Sequence, residues 1–88
     1  MRQNPDVVYR CVAGEHILIP VGSAAVNRSG MFVLNQVGAE IWNMLETPMS
    51  FEEIADELIR RYDAEPETIR KDVTELLERL KTDGLLLD

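Results

Sequence analysis

The stretch Leu34 to Trp42 (LNQVGAEIW) marks a change in hydrophobic periodicity that constrains the fold more than any other feature. Before it, apolar residues come in short β-branched runs, which are typical of strands. After it, they recur every three or four positions, which is typical of helices with one buried side. The sequence therefore predicts three strands followed by three helices. With 88 residues, this pattern favours a single α+β domain over residues 1–88.

The predicted strands cover residues 7–13 (VVYRCVA), 16–21 (HILIPV) and 31–34 (MFVL). Gly14 and Glu15 separate the first two strands. Because glycine tolerates a positive φ, a tight hairpin is expected there. A second reversal is expected at residues 27–30 (NRSG), since Asn, Ser and Gly favour turns.

Each predicted helix has a recognisable start. Asn35 is a good N-cap for the first helix, Ser50 and Glu53 match a capping box for the second, and Pro66 suits the first position of the third. The apolar stripes are Val37, Ile41, Trp42 and Leu45, then Ile54, Ala55, Leu58, Ile59 and Tyr62, then Ile69, Val73, Leu76, Leu77 and Leu80. Residues 85–87 (LLL) are expected to form a short closing strand or to plug the core.

The net charge of −7 lies in the helical part, because residues 1–34 carry a net charge of +1. This balance disfavours nucleic acid and anionic membranes as partners. The predicted third helix carries four basic and five acidic residues, whereas a helix that reads DNA needs a positive face. A winged-helix DNA-binding transcriptional regulator is nevertheless the main alternative function, since helix-turn-helix followed by a strand is also its element order.

Few residues in the chain suggest catalysis or metal binding. His16 and Cys11 together fall short of a four-ligand zinc site, and a cysteine in a strand is usually a small buried hydrophobe. The acidic residues of the second helix fall between its apolar positions, as on a solvated face. No catalytic residue, metal or cofactor is therefore expected. A single cysteine, with no signal peptide or membrane span in the sequence, indicates a cytoplasmic location.

The third predicted strand admits several interpretations. Residues 31–34 are apolar and uncharged, and an open strand edge offers unpaired N–H and C=O groups. The strand could pair on both sides or be covered by a loop. It could instead receive an extended peptide as an additional strand, or join two copies of the chain edge to edge in a homodimer.

The runs FVLNQVGAEIWNML and SFEEIADELIRRYDAEPETIRKDVTELLERLKTDGLL resemble the PqqD-like family, the peptide chaperones of pyrroloquinoline quinone biosynthesis and their relatives. The same fold occurs as the precursor-recognition element of many systems that modify ribosomally made peptides. The resemblance covers residues 32–86. It depends on an ordered set of positions, which includes Leu34-Asn35, Gly38-Ala39, Ile41-Trp42, Ile54-Ala55, Asp72-Val73, Leu76-Leu77 and Gly84-Leu85.

The resemblance implies a three-stranded antiparallel sheet packed on a winged helix-turn-helix-like trio of helices. It also implies a non-enzymatic protein that binds a precursor's leader peptide by strand addition and presents it to a modifying enzyme, for example a radical S-adenosylmethionine enzyme. By position, the implied peptide-binding residues are Met31, Phe32, Val33 and Leu34 in the strand, Val73 and Leu77 in the groove, and Arg70, Thr74 and Lys81 at its rim. The run VNRSGMFVLN ends in the same Leu-Asn as the family's YPEGMVKLN-like run but has Val33 in place of its basic residue. Both pyrroloquinoline quinone and another peptide product therefore stay open as the end of the pathway.

Overall fold

The computed structural model describes residues 1–22 and 31–88, and the turn predicted at residues 27–30 lies outside them. Strands β1 to β4 span Arg2–Gln3, Val7–Val12, Glu15–Pro20 and Phe32–Leu34. Helices α1, α2 and α3 span Gln36–Met44, Phe51–Arg61 and Pro66–Thr82, and strand β5 spans Leu86–Leu87. The predicted α+β class, with an antiparallel three-stranded sheet followed by three helices in a winged helix-turn-helix-like order, is confirmed.

Strands β2 and β3 form a hairpin around a two-residue loop. The loop is Ala13–Gly14, whose φ angles are 52° and 81°. Two successive positive φ values indicate a type I′ turn, whose twist matches that of the flanking strands. Glu15 is paired with Val12 and opens β3, so the loop lies one residue earlier than the predicted Gly14-Glu15. The reason is that a type I′ turn needs a positive φ at both loop residues, and Ala13 adopts one although it is not a glycine.

The sheet has the order β2-β3-β4, so β3 is central and β4 lies at an edge. Strands β1 and β5 pair separately, with Arg2 opposite Leu87. Residues 85–87 provide both the predicted closing strand and the predicted plug, because Leu85 and Leu86 are buried in the core. Strand β1 was not predicted, since two residues carry no periodicity.

The helices begin where the sequence predicts. The Asn35 side chain accepts a hydrogen bond from the Gly38 N–H at 2.7 Å. The Ser50 hydroxyl accepts from the Glu53 N–H at 3.2 Å, and the Glu53 carboxylate accepts from the Ser50 N–H at 2.9 Å, which completes the capping box. Pro66 opens α3, where Glu65 makes no side-chain capping bond.

One hydrophobic core joins the sheet to all three helices. Its most deeply buried side chains come from every layer: Leu18 of β3, Trp42 of α1, Leu58 of α2, Leu80 of α3 and Leu85 before β5. The core holds β4, α1 and α3 together, since Leu34, Trp42 and Val73 all belong to it, and this arrangement positions the site described below. In the part of the chain that the structure describes, no helix combines the length and the apolarity that crossing a membrane requires.

Candidate functional site

The hairpin determines which backbone groups of β3 face β4. Val12 and Glu15 flank a two-residue loop, so they form a hydrogen-bonded pair. Because bonded and non-bonded pairs alternate along an antiparallel ladder, Ile17 also directs its N–H and C=O towards β2. His16 and Leu18 then direct their N–H and C=O groups towards β4.

The same alternation leaves Val33 with outward-pointing backbone groups. Phe32 and Leu34 are opposite Leu18 and His16, so they form the ladder bonds between β4 and β3. Val33 is opposite Ile17, and its N–H and C=O therefore point away from the sheet. Among the described residues, no strand pairs with this edge of β4. Val33 thus offers one donor and one acceptor along the open edge.

A groove of about 640 Å³ adjoins this edge, bounded by β4, α1, the end of α2 and α3. Its floor consists of buried apolar side chains: Leu34, Ile41, Leu58, Ile69 and Val73. Val33 and Val37 also line it and are 58% and 37% exposed. Exposed apolar side chains next to unpaired backbone groups are the two features that strand addition uses.

Helix α3 forms the opposite wall through residues three or four positions apart. Asp72, Glu75, Leu76 and Arg79 all line the groove. The Arg79 guanidinium lies over the Phe32 ring, 5.0 Å from its centroid, which is within cation–π range. This contact joins the C-terminal half of α3 to the start of β4.

A polar network borders the end of the groove nearest α1 and α2. Tyr62 lines the groove, and its hydroxyl donates a hydrogen bond to the Glu40 carboxylate. This bond raises the pKa of Tyr62 above its ordinary value. Arg61 bridges the two helices, with nitrogen–oxygen distances of 3.1 Å to Glu40 and 2.8 Å to Glu57. The hydrogen bonds from Arg61 and Arg60 lower the pKa of Glu57.

The structure brings several of the predicted binding residues together. Phe32, Val33, Leu34 and Val73 line the groove, although Val73 belongs to its buried floor. Met31 precedes β4 and is 62% exposed. Leu77 was predicted to line the groove, but it is buried in the core and is not among the lining residues.

The predicted rim residues lie outside the groove. Arg70 faces α2, where it pairs with Glu52 at 2.9 Å and with Asp56 at 3.6 Å. The Thr74 hydroxyl donates to the Arg70 carbonyl, and Lys81 pairs with Asp88. The physical reason is rotation about the helix axis: residues 70, 74 and 81 lie along one border of the apolar stripe of α3, and β4 lies at the other border.

That other border supplies groove residues that were not predicted to bind peptide: Thr68, Asp72, Glu75 and Arg79. The signal that could have found them is weak. An amphipathic helix has two polar borders, and periodicity alone does not say which of them faces the strand.

His16 and Cys11 lie opposite each other on β3 and β2. Nδ1 of His16 shares a 2.7 Å hydrogen bond with the Tyr9 hydroxyl. Cys11 is exposed, so the expectation of a buried cysteine was wrong, because its strand lies at the sheet edge and its side chain stands outside the core. Within residues 1–22 and 31–88, no three His, Cys, Asp or Glu residues are arranged to hold a metal ion.

A three-stranded sheet, whose β4 edge is unpaired among the described residues and lies beside a groove on three helices, defines a winged helix-turn-helix-like α+β protein. The chain matches the family described as Coenzyme PQQ synthesis protein D (PqqD) over residues 15–86. Since this match covers most of the chain, the protein belongs to the PqqD family. The resemblance drawn from the sequence is thereby confirmed.

Two solved structures have the same fold. One is TbiB1 in complex with the TbiA(beta) leader peptide, which is 26% identical to this chain over 100% of both chains, with a TM-score of 0.78. The other is a lasso peptide synthetase B1 complexed with the leader peptide. It is 23% identical over 99% of this chain and 96% of that chain, with a TM-score of 0.77, and it shows the fold alone. No functionally curated protein matches the chain.

Proposed function

We propose that this protein binds the leader peptide of a ribosomally made precursor as an additional β-strand on the edge of β4. The bound peptide lies over the groove beside α3, and the protein presents it to a modifying enzyme. The observation that carries the proposal is the orientation of Val33, whose N–H and C=O point outward at the groove.

Backbone pairing explains how a small protein could recognise an extended peptide. A guest strand forms its first pair of hydrogen bonds with Val33 and extends the sheet by one strand. Its side chains alternate between the two faces, so every second one points towards the groove. Those side chains cover Val33 and Val37, which are exposed in the free protein.

The groove has the size and lining that recognition of side chains requires. Its volume of about 640 Å³ lies within the range of about 300–1,000 Å³ that is typical of ligand pockets. The buried apolar floor can provide affinity through apolar contacts with the peptide. The few charged groups on one wall can select among peptide side chains.

The comparisons support the same function. The chain belongs to the PqqD family, and both similar structures, TbiB1 and the lasso peptide synthetase B1, are described as complexes with leader peptides. We assign the protein a binding role without catalysis of its own.

The test is an NMR titration of the isotope-labelled protein with synthetic peptides that correspond to the N-terminal segment of each short open reading frame adjoining its gene. We expect the amide signals of residues 31–34 and of the groove-facing turns of α3 to shift. Shifts confined to the acidic face of α2, or no shifts at all, would contradict the proposal.

Two measurements separate peptide binding from the alternatives. Sedimentation at several protein concentrations, with and without peptide, distinguishes capture of a peptide from edge-to-edge dimerisation. Anisotropy of labelled duplex DNA at low salt tests the transcriptional alternative. We expect no DNA binding, because the net charge of −7 with +1 in residues 1–34 leaves −8 on the helical part of the chain.

A further inference from the structure

We propose that the α3 wall selects the guest peptide by charge, through Asp72 and Glu75 at one position and Arg79 at another. The preferred guest strand carries a basic side chain beside the two carboxylates and an acidic side chain beside Arg79, two positions away. This inference depends on the proposed function, since it assigns the chemistry of the peptide that the same groove accepts.

The first observation is that Asp72 and Glu75 face the groove without a cation. Both are exposed and both line the groove. Within the described residues, neither has an ion-pair partner. Two carboxylates on one wall of an apolar groove create a negative potential there. A guest strand that covers the groove would exclude water, and this strengthens the attraction of the carboxylates for a basic side chain.

Other charged residues of the helices contrast with this pair. Arg70 is held by Glu52 and Asp56, and Lys81 is held by Asp88. These charges are neutralised within the molecule and do not border the groove. A guest peptide therefore meets the unneutralised charges of the α3 wall.

Arg79 adds a positive charge to the same wall, next to the two carboxylates. Its guanidinium stacks on Phe32, 5.0 Å from the ring centroid. Among the described residues, it has no carboxylate partner. Stacking occupies the flat face of a guanidinium and leaves the N–H groups at its edge free to bind a carboxylate.

The spacing of these groups matches an extended guest. At a rise of 1.5 Å per residue, Glu75 and Arg79 are separated by about 6 Å along the helix axis. Side chains on one face of a strand recur about every 6.8 Å, which is two residues. A strand lying along α3 can therefore place two oppositely charged side chains, two residues apart, against Glu75 and Arg79.

The experiment uses a display library of random peptides, about twelve residues long, selected in parallel on the whole wild-type protein and on three variants. The variants are Asp72→Lys/Glu75→Lys, Arg79→Glu and a control, Glu15→Lys/Glu46→Lys. The control changes the net charge as much as the first variant, but its two residues are exposed and do not line the groove. Circular dichroism confirms the folding of each variant.

Peptides selected on the wild type and on the control are expected to carry Lys or Arg at one position and Asp or Glu two positions away. The Asp72→Lys/Glu75→Lys variant should exchange the basic preference for an acidic one, and Arg79→Glu should exchange the acidic preference for a basic one. A peptide selected on the wild type should bind the Asp72→Lys/Glu75→Lys variant at least about fivefold more weakly, the upper end for one exposed ion pair.

Two results would overturn the inference while the proposed function stands. In both, selected peptides shift the Val33 amide signal, which places them on β4. Either they show no charge preference, or their preference persists in the Asp72→Lys/Glu75→Lys variant. If no selected peptide shifts the Val33 signal, strand addition itself fails.

Discussion

Val33 combines an exposed side chain with unpaired backbone groups, and the second property is possible only at a sheet edge. Its side chain is exposed, and its N–H and C=O point away from the sheet, because the bonds to β3 come from the residues on either side. At this position a proline removes the outward N–H without removing a ladder bond, and edge strands tolerate proline.

Val33→Pro is therefore expected to keep the fold and to weaken binding of a leader peptide about tenfold or more. One lost backbone hydrogen bond accounts for up to about tenfold, and the proline ring adds a steric clash. Calorimetric titration measures the affinity. Val33→Ala, which keeps the N–H, is the matched control, and equal affinities of the two variants would contradict this role of Val33.

Tyr62 and Glu40 are coupled at the border of the groove. The hydrogen bond to the Glu40 carboxylate favours the neutral phenol and raises the pKa of Tyr62. Because the folded-state pKa is raised, this contribution to stability is present below the ordinary tyrosine value of about 10 and is lost as the pH rises above it.

We expect Glu40→Ala to lower the pKa of Tyr62 towards its ordinary value. Ultraviolet absorbance of the phenolate, recorded against pH in a Tyr9→Phe background, measures the ionisation of Tyr62 alone. Identical titration curves with and without Glu40 would show that the hydrogen bond is absent in solution.

At the scale of elements, the capping box of α2 can be tested by pH. The hydrogen bonds from Ser50 lower the pKa of Glu53 below its ordinary value. A lowered folded-state pKa adds stability above the unfolded value, and that stability disappears as the pH falls through the folded one.

Wild type is therefore expected to unfold at higher denaturant concentration than Glu53→Ala at neutral pH, with a difference that shrinks below about pH 4.5. Ser50→Ala, which removes only the side-chain cap, should cost about 1 kcal/mol of unfolding free energy. Urea titrations between pH 3 and 7 measure both effects. A difference independent of pH would exclude a role for the Glu53 charge.

The sequence predicts some elements better than others, for physical reasons. Asn35 and Ser50 start helices through bonds to residues three positions on, so local sequence contains all the information needed. Which face of α3 points towards β4 depends on how the elements pack, and local sequence does not determine it. Arg70 and Arg79 both border the apolar stripe, and only the packed structure shows that Arg79 reaches Phe32 while Arg70 reaches α2. The β1-β5 pairing joins the two ends of the described chain, and no local pattern encodes it.

For the whole molecule, the residues after α3 close the core. Leu85 is fully buried, and its N–H donates to the Leu80 carbonyl at 2.9 Å. We expect Leu85→Ala to cost about 2–5 kcal/mol, a large share of the stability of a domain of this size. Thermal denaturation measures the loss. Val12→Ala on the outer strand β2 is the control, because the Val12 side chain is exposed. An equal loss in both variants would contradict the closing role of Leu85.

Hydrogen exchange at single amides tests the central claim, an open strand edge that a leader peptide fills, most directly. In the free protein, we expect the Val33 amide to exchange rapidly while those of Phe32 and Leu34 are protected by their bonds to β3. Adding the leader peptide should protect Val33 and leave its two neighbours protected. A Val33 amide already protected in the free protein, or one still exchanging rapidly in the complex, would contradict the account.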